Sequence, residues 1–282
     1  MKFWKLHGIG NDFVAIDGRF DNKDASDYSE YAKAVCHRKF SVGADGLLVV
    51  KNSDNCDVEM VYYNADGSRA AMCGNGLRCF VKFVYDNNIV RKEEFSVNTL
   101  DGVKKVKINL KGEEIDTIKV NMGNGSFLCE DIPAISNNKV FIGENIDVLD
   151  KNFEVNAMLM GVPHVVILVD DISIEEVCKY GPLLENDCHF PKKANIEFAQ
   201  KIDENHIKMR VWERGAGETY ACGTGACAVC VACCINGLTK RSVDIELLGG
   251  NLQIEWNEEN NHIYMKGPAK TICKGEFEYD NN

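Results

Sequence analysis

The pattern of apolar and polar positions predicts a chain of short strands with a few helices. Residues 3–17 carry apolar positions on both sides of a Gly-Ile-Gly turn, which indicates two strands joined at that turn. Residues 46–51 and 58–63 are apolar runs of strand length, the second closed by Asn64-Ala65-Asp66-Gly67, a strong turn signal. Residues 94–122 alternate about an Asp101-Gly102 turn and indicate a hairpin.

Helical periodicity appears at two places in the first half. Residues 26–38 predict a short helix. Leu77, Phe80, Val81 and Val84 recur at steps of three and four residues, which predicts a second helix with one buried face. The rest of the chain is interpreted as loop over 136–152, strand over 163–169, helix over 171–180, strand over 208–212, turn over 213–219, helix to about 235 and two or three further strands.

One short signature occurs twice along the chain. Residues 72–79 are MCGNGLRC and residues 221–227 are ACGTGAC, and each stretch follows strands and a turn and opens a predicted helix. Outside this signature the two halves differ, so the internal repeat is weak. It predicts two similar α/β units that bring the matched cysteines, Cys73 and Cys222, to one cleft.

Composition and charge exclude several classes of function. The 282 residues are enough for one large domain or two moderate ones, and 45% hydrophobic with 27% charged residues is ordinary for a globular protein. No apolar run reaches the roughly 18 residues of a membrane span, and the N-terminus lacks the apolar core of a signal peptide, so a cytoplasmic protein without a membrane partner is expected. The net charge of −11 has no basic stripe, which argues against nucleic acid as a partner.

The paired Cys-Gly-x-Gly turns suggest acid–base chemistry. A cysteine at a helix N-terminus lies at the positive end of the helix dipole, which lowers a thiol pKa from about 8.5 to roughly 3.5–7.5. The same turn offers N–H groups that bind a carboxylate. Two such turns in one cleft predict inversion of a stereocentre: one thiolate removes a proton from one face of a carbon and the opposing thiol protonates the other. No cofactor is strictly needed.

A metal site is the alternative from a different class of function. Cys222, Cys227 and Cys230 have the C-x4-C-x2-C spacing of a plant-type iron–sulfur site. Cys227, Cys230 and Cys234 also fall on one face of an Ala/Val/Cys helix, where small apolar side chains pack well. The helical interpretation is favoured and no metal is expected. A structural or interaction module would leave the paired turns unexplained.

Seven stretches together resemble the diaminopimelate epimerase family: LHGIGNDFVAID (6–17), GADGLL (43–48), NADGSRAAMCGNGLRC (64–79), PHVVILVDD (163–171), ANIEF (194–198), ERGAGETYACGTGAC (213–227) and KGPA (266–269). The resemblance implies cofactor-independent interconversion of LL- and meso-diaminopimelate on the route to lysine and peptidoglycan. It implies an α/β (α+β) fold of two pseudo-symmetric domains, each a strongly curved, mostly antiparallel sheet around a central helix, with the active site between them. The domains implied are 1–117 with 270–282, and 118–269, the last strand returning to the first domain. A homodimer is a possible assembly.

The resemblance also implies roles for residues at matching positions. Cys73 and Cys222 are the acid–base pair, and His164 and Glu213 tune the thiols. The carboxylate seat at the two helix N-termini comprises Gly74, Asn75, Gly223 and Thr224. The contacts to the amino groups and the distal carboxylate come from Asn11, Asn64, Asn195, Glu213 and Arg214.

One position departs from the family pattern. The family usually has Gly-Asn-Pro-His where this chain has Gly161-Val162-Pro163-His164. That asparagine is expected to hydrogen-bond the unreactive end of the substrate, which the valine side chain cannot do. The reaction type is unaffected, but the substrate is put in question, and lanthionine or another amino acid is the alternative.

Overall fold

The structure is a computed structural model that describes residues 1–21 and 28–278. It divides into two compact units: Met1–Asn121 with Lys266–Asn282, here called unit 1, and Met122–Met265, called unit 2. Within the described ranges, no helix combines the length and the apolar character needed to cross a membrane.

The elements of unit 1 follow one another as strands interrupted by two helices. In chain order they are β1 (Lys2–Gly8), β2 (Asn11–Asp17), α1 (Ser29–Cys36), β3 (Gly46–Lys51), β4 (Val58–Asn64), β5 (Arg69–Ala70), α2 (Gly74–Asp86), β6 (Glu94–Thr99), β7 (Gly102–Lys111) and β8 (Glu114–Gly123), whose last two residues lie beyond the unit boundary.

The elements of unit 2 repeat this alternation. They are β9 (Glu144–Val148), β10 (Lys151–Met160), β11 (Val162–Val169), α3 (Ile174–Glu185), β12 (Asn195–Lys201), β13 (His206–Glu213), β14 (Gly217–Thr219), α4 (Gly223–Ile235), β15 (Ser242–Leu247), β16 (Gly250–Trp256) and β17 (Ile263–Gly267). The chain then ends in unit 1 with β18 (Lys270–Glu276).

The strand pairings of the two units follow the same order. In unit 1, β1–β2 is antiparallel, β2–β3 parallel, β3–β4 antiparallel, β4–β6 parallel and β6–β7 antiparallel. In unit 2, β10–β11 is antiparallel, β11–β12 parallel, β12–β13 antiparallel, β13–β15 parallel and β15–β16 antiparallel. The internal repeat that the sequence suggested is therefore a repeat of topology. An additional strand pairs antiparallel at the start of each series, β18 with β1 and β9 with β10.

The strands of each unit pack around one central helix. Helix α2 packs against β1, β2 and β3, and its predicted apolar face of Leu77, Phe80, Val81 and Val84 is fully buried. Helix α4 packs against β10, β11, β12, β15 and β16 and is buried around its whole circumference from Ala226 to Cys233. Its alanine, valine and cysteine side chains are small, so strands approach it from several sides. The mixed α/β fold with a helix at the centre of each unit is as expected.

Several local predictions were wrong. The segment 136–152 was interpreted as loop because of its Asn, Asp and Gly content, but it contains β9 and the start of β10, which pair as a hairpin. Helix α3 begins and ends later than the predicted 171–180. The turn predicted over 213–219 contains the short strand β14. Four strands follow α4 rather than two or three, and residues 26 and 27 of the first predicted helix lie outside the described residues.

Candidate active site

The two signature cysteines occupy the same position in their units, the N-cap of the central helix. The Sγ atom of Cys73 accepts the N–H of Gly76 at 3.4 Å, and the Sγ of Cys222 accepts the N–H of Gly225, also at 3.4 Å. Both cysteines have extended backbone dihedrals, as N-cap residues do. Each sulfur therefore lies at the positive end of a helix that is buried in its own unit.

An asparagine side chain lies beside each thiol. The Sγ of Cys73 is 3.5 Å from Oδ1 of Asn11, which also accepts a hydrogen bond from Nδ2 of Asn75. In unit 2 the amide of Asn195 lies with Nδ2 3.9 Å from the Sγ of Cys222, and the Thr224 hydroxyl lies 3.5 Å from that sulfur. The structure thus groups Asn11, Cys73 and Asn75 in one unit.

Two residues that the sequence did not single out hold this first group. Nδ2 of Asn11 donates to Oδ2 of Asp45 at 2.6 Å, which fixes the amide with its oxygen toward Cys73. Arg78 is fully buried, and its Nη2 donates to Oδ1 of Asn75 at 2.8 Å. Asp45 and Arg78 lie in stretches already recognised as unusual, GADGLL and MCGNGLRC, but their burial and their partners come only from the fold.

A buried histidine–glutamate pair lies beside the thiol of unit 2. Nδ1 of His164 is 2.6 Å from Oε1 of Glu197, and neither side chain is exposed. A nitrogen of His164, a carboxylate oxygen of Glu197 and the Sγ of Cys222 lie within 4.8 Å of one another. Nε2 of His164 and Oε2 of Glu197 find no hydrogen-bond partner among the described residues. Glu197 belongs to the ANIEF stretch and was not predicted as a site residue.

Glycine at position 225 is required by this arrangement. A Cβ atom built on Gly225 would lie 2.6 Å from Oε1 of Glu197 and 3.2 Å from its Cγ and Cδ. Such distances are shorter than van der Waals contacts allow, so the carboxylate packs directly on the first turn of α4. The second glycine of ACGTGAC therefore makes room for Glu197.

The electrostatic environment of Cys222 differs from the one predicted. Burial, followed by the charges of Glu213 and Glu197, raises the pKa of the Cys222 thiol well above its ordinary value. The hydrogen bonds from Thr224 and the Gly225 N–H act in the opposite direction but do not reverse the shift. The prediction that the helix dipole lowers the pKa of this cysteine was wrong, because it could not include two nearby carboxylates and the loss of water.

The other predicted site residues lie close to these groups or at the ends of neighbouring strands. Asn195 accepts the backbone N–H of Arg214 at 2.8 Å, and the Arg214 guanidinium donates to the carbonyl of Lys192. Glu213 accepts a hydrogen bond from the Thr219 hydroxyl. Gly74 and Gly223 are the first residues of α2 and α4.

Asn64 is the unit 1 counterpart of Glu213. It ends β4 nine residues before Cys73, as Glu213 ends β13 nine residues before Cys222. Its amide accepts a hydrogen bond from the Tyr62 hydroxyl and donates one to Ser68.

The cysteines of the alternative metal motif lie on a regular helix. Cys227 and Cys230 are fully buried within α4, and Cys230 directs its Sγ to the carbonyls of Arg241 and Ile254. Neither belongs to the two groups of described residues whose potential ligand atoms converge, which are His164, Glu197 and Cys222, and Asp187, Cys188 and His189. Cys227 and Cys230 thus have the packing role in the helix that the favoured interpretation predicts.

Comparison with known proteins gives one consistent family. The sequence profile of a family described as diaminopimelate epimerase matches residues 3–128 and 156–272. The chain is 44% identical over 280 residues to the diaminopimelate epimerase of Alkaliphilus metalliredigens (strain QYMF), covering 98% of this chain and 97% of the relative. It is 43% identical over 278 residues to that of Acetivibrio thermocellus, covering 99% of each.

A solved structure extends the likeness to the fold. The crystal structure of the Bacillus anthracis phenazine biosynthesis protein of the PhzF family superposes with a TM-score of 0.74 at 15% identity, covering 99% of both chains. At that identity the likeness concerns the fold alone.

Proposed function

Because the chain belongs to the diaminopimelate epimerase family, we propose that it interconverts LL- and meso-diaminopimelate with Cys73 and Cys222 as the proton-transferring groups. Diaminopimelate epimerisation is a step of lysine biosynthesis. We place it in the cytoplasm, since the thirteen cysteines are all thiols rather than disulfides and a reducing compartment keeps thiols in that state. The observation that carries the proposal is the pair of equivalent thiols, each capping the central helix of its unit.

The proposed reaction moves protons and requires no change of oxidation state. One thiolate takes the proton from the α-carbon, which forms an S–H bond and leaves a carbanion. The other thiol gives its proton to the opposite face of that carbon, so the stereocentre inverts and the second sulfur becomes the thiolate. Burial, followed by the charges of Glu213 and Glu197, raises the pKa of the Cys222 thiol and so favours its protonated form. In the reaction direction that begins from this form, Cys73 is the base and Cys222 is the proton donor.

The helix N-termini stabilise the charge that develops on the substrate. The first N–H groups of a helix lack intrahelical acceptors, and one of these groups in each helix is taken by the sulfur, Gly76 in α2 and Gly225 in α4. The groups that precede them, at Gly74, Asn75, Gly223 and Thr224, are the proposed carboxylate seat. Fixed donors of this kind favour negative charge in the transition state more than water does.

The substrate requires a separate test because of Val162. Val162 begins β11 after the β10–β11 turn, as Asn11 begins β2 after the β1–β2 turn, and Asn11 contacts a catalytic thiol. A polar side chain in unit 1 thus corresponds to an apolar one in unit 2. Our second candidate is an epimerase of the same mechanism acting on another amino acid, such as lanthionine.

The experiment that tests the mechanism replaces each thiol singly. We expect Cys73→Ala and Cys222→Ala each to lower kcat by at least about 100-fold, because general acid–base groups contribute about that much or more. Serine at either position should restore little, since a hydroxyl is a far weaker acid. Cys178→Ala is the matched control because Cys178 is exposed. Wild-type turnover by either alanine variant would refute the two-thiol mechanism, and activity on lanthionine but not diaminopimelate would select the second candidate.

A further inference from the structure

The two units have different types of side chain at equivalent positions near their N-cap thiols. In the parallel pairing of β2 with β3, Phe13 lies opposite Gly46, and in that of β11 with β12, His164 lies opposite Asn195. Phe13 is the third residue of β2, and His164 is the third residue of β11. By this correspondence His164 takes the place of Phe13, and Glu197, two residues after Asn195, takes the place of Leu48.

The contacts at the helices agree with this correspondence. A Cβ atom built on Gly76 of α2 would lie 3.3 Å from the Phe13 ring, whereas one built on Gly225 of α4 would lie 2.6 Å from Glu197. Phe13 and Leu48 are both fully buried, as are His164 and Glu197. The layer beneath the first turn of the central helix is therefore apolar in unit 1 and ionisable in unit 2.

The fold does not require an ionisable pair at this place. Unit 1 builds the same topology around two hydrocarbon side chains, and replacing a buried charged pair by apolar residues of similar volume is often neutral or stabilising. The pair also leaves one polar atom of each side chain without a partner among the described residues, which costs stability. Its position within 4.8 Å of the Cys222 sulfur indicates a catalytic reason for its presence.

We propose that Glu197 is a positioning residue for the acid–base chemistry of Cys222: its Nδ1 hydrogen bond holds the His164 imidazole beside the Cys222 sulfur. With the carboxylate as acceptor, the Nδ1–H of the imidazole donates this hydrogen bond, which fixes the orientation of the ring. This inference rests on the proposed function, because it assigns Glu197 a role only if Cys222 transfers a proton.

The groups around Cys222 determine which charges affect the ionisation of its thiol. The thiol is faced by His164 from β11, Glu197 from β12 and Glu213 from β13, and by the Thr224 hydroxyl and the Gly225 N–H from α4. Both carboxylates disfavour the thiolate. Removing the Glu197 charge should let the thiol ionise at lower pH, and this should shift the alkaline limb of the activity profile.

The first test is Glu197→Gln, which keeps the size of the side chain and removes its charge. We expect kcat to fall about 10- to 100-fold, since an amide no longer fixes the imidazole tautomer. KM should stay within about two-fold, because Glu197 has no exposed atom with which to touch substrate. The alkaline limb of kcat/KM should move down by roughly one pH unit, as expected for loss of one charge a few ångströms away. Glu185→Gln is the control, because Glu185 is also a buried carboxylate but does not belong to the group of His164, Glu197 and Cys222; it should leave that limb in place.

The second test copies the residues of unit 1 into unit 2. The double variant His164→Phe/Glu197→Leu should fold with a thermal midpoint within a few degrees of wild type, yet lose at least about 100-fold in kcat. Full activity in it, or an unmoved alkaline limb in Glu197→Gln, would overturn the inference while the cysteine variants still support the two-thiol reaction. If the wild type epimerises no amino acid, it is the proposed function that fails.

Discussion

Alanine in place of Gly225 should damage the protein, whereas alanine in place of Gly76 should not. The two glycines are the third residues of α4 and α2, and both donate their N–H to the capping thiol. Only their neighbours differ: the carboxylate of Glu197 in one case and the ring of Phe13 in the other. The substitutions are therefore matched for backbone position and for the change in side chain.

The magnitude follows from distances and helix propensity. Alanine stabilises a helix interior by about 1 kcal/mol relative to glycine. At position 76 the new Cβ meets the Phe13 ring at 3.3 Å, which a shift of a few tenths of an ångström relieves, so the net change should lie within about 1 kcal/mol of zero.

At position 225 the new Cβ would meet Glu197 at 2.6 Å, and Glu197 cannot withdraw without breaking its buried bond to His164. Breaking such a pair costs about 3–5 kcal/mol. The helix gain offsets part of this, which leaves a net destabilisation of about 2–4 kcal/mol.

The assay is thermal unfolding of both variants beside wild type, followed by steady-state kinetics at a temperature where all three are folded. Gly225→Ala should lower the thermal midpoint by roughly 5–15 °C and should lower kcat as well. Gly76→Ala should unfold within a few degrees of wild type. The reasoning fails if Gly225→Ala is as stable and as active as wild type, or if Gly76→Ala is the more damaged of the two.

Three further substitutions test other parts of the account. Burial raises the pKa of Asp12, but hydrogen bonds and charges from Arg38 and Lys5 outweigh burial and lower that pKa. Asp12→Asn should therefore lower the free energy of unfolding in urea by about 2 kcal/mol at pH 7. The difference in stability from wild type should close as the pH falls below about 3.9 and through the folded-state pKa. A constant difference down to pH 2 would contradict that assignment. Arg78→Met should destabilise unit 1 by about 3 kcal/mol, because it removes the buried donor to Asn75 and to two carbonyls; unchanged stability would show that these bonds contribute nothing. Val162→Asn should lower KM for diaminopimelate about 10-fold with kcat unchanged if the valine leaves a polar group of the substrate unpaired; an unchanged KM would remove Val162 from the specificity of the enzyme.

The sequence could predict those features of the fold that depend on local patterns. The buried face of α2 follows from the spacing of Leu77, Phe80, Val81 and Val84, and the N-caps follow from cysteine placed before Gly-x-Gly. Segment 136–152 failed because Asn, Asp and Gly favour turns locally, whereas β9 is held in place by its pairing with β10. Propensity cannot include a partner that the chain supplies only after folding.

The site residues likewise divide into those that a local sequence pattern could identify and those that only the fold could identify. The cysteines could be found because their motif is local and occurs twice. Glu197 could not be assigned, since a glutamate in a strand is ordinary until the fold buries it against His164 and Gly225. The direction of the Cys222 pKa shift was missed for the same reason, because the helix dipole is visible in the sequence and the surrounding carboxylates are not.

The most direct test of the central claim is proton exchange during turnover. Wild-type enzyme is incubated with LL-diaminopimelate in D2O under reducing conditions, and the isomers are separated by chiral chromatography and analysed by NMR. Two thiols acting on opposite faces predict meso product that carries deuterium at the inverted carbon from the first turnovers, while the remaining LL substrate keeps its protium. Meso product that retains protium, or the absence of any meso product or exchange, would contradict the account.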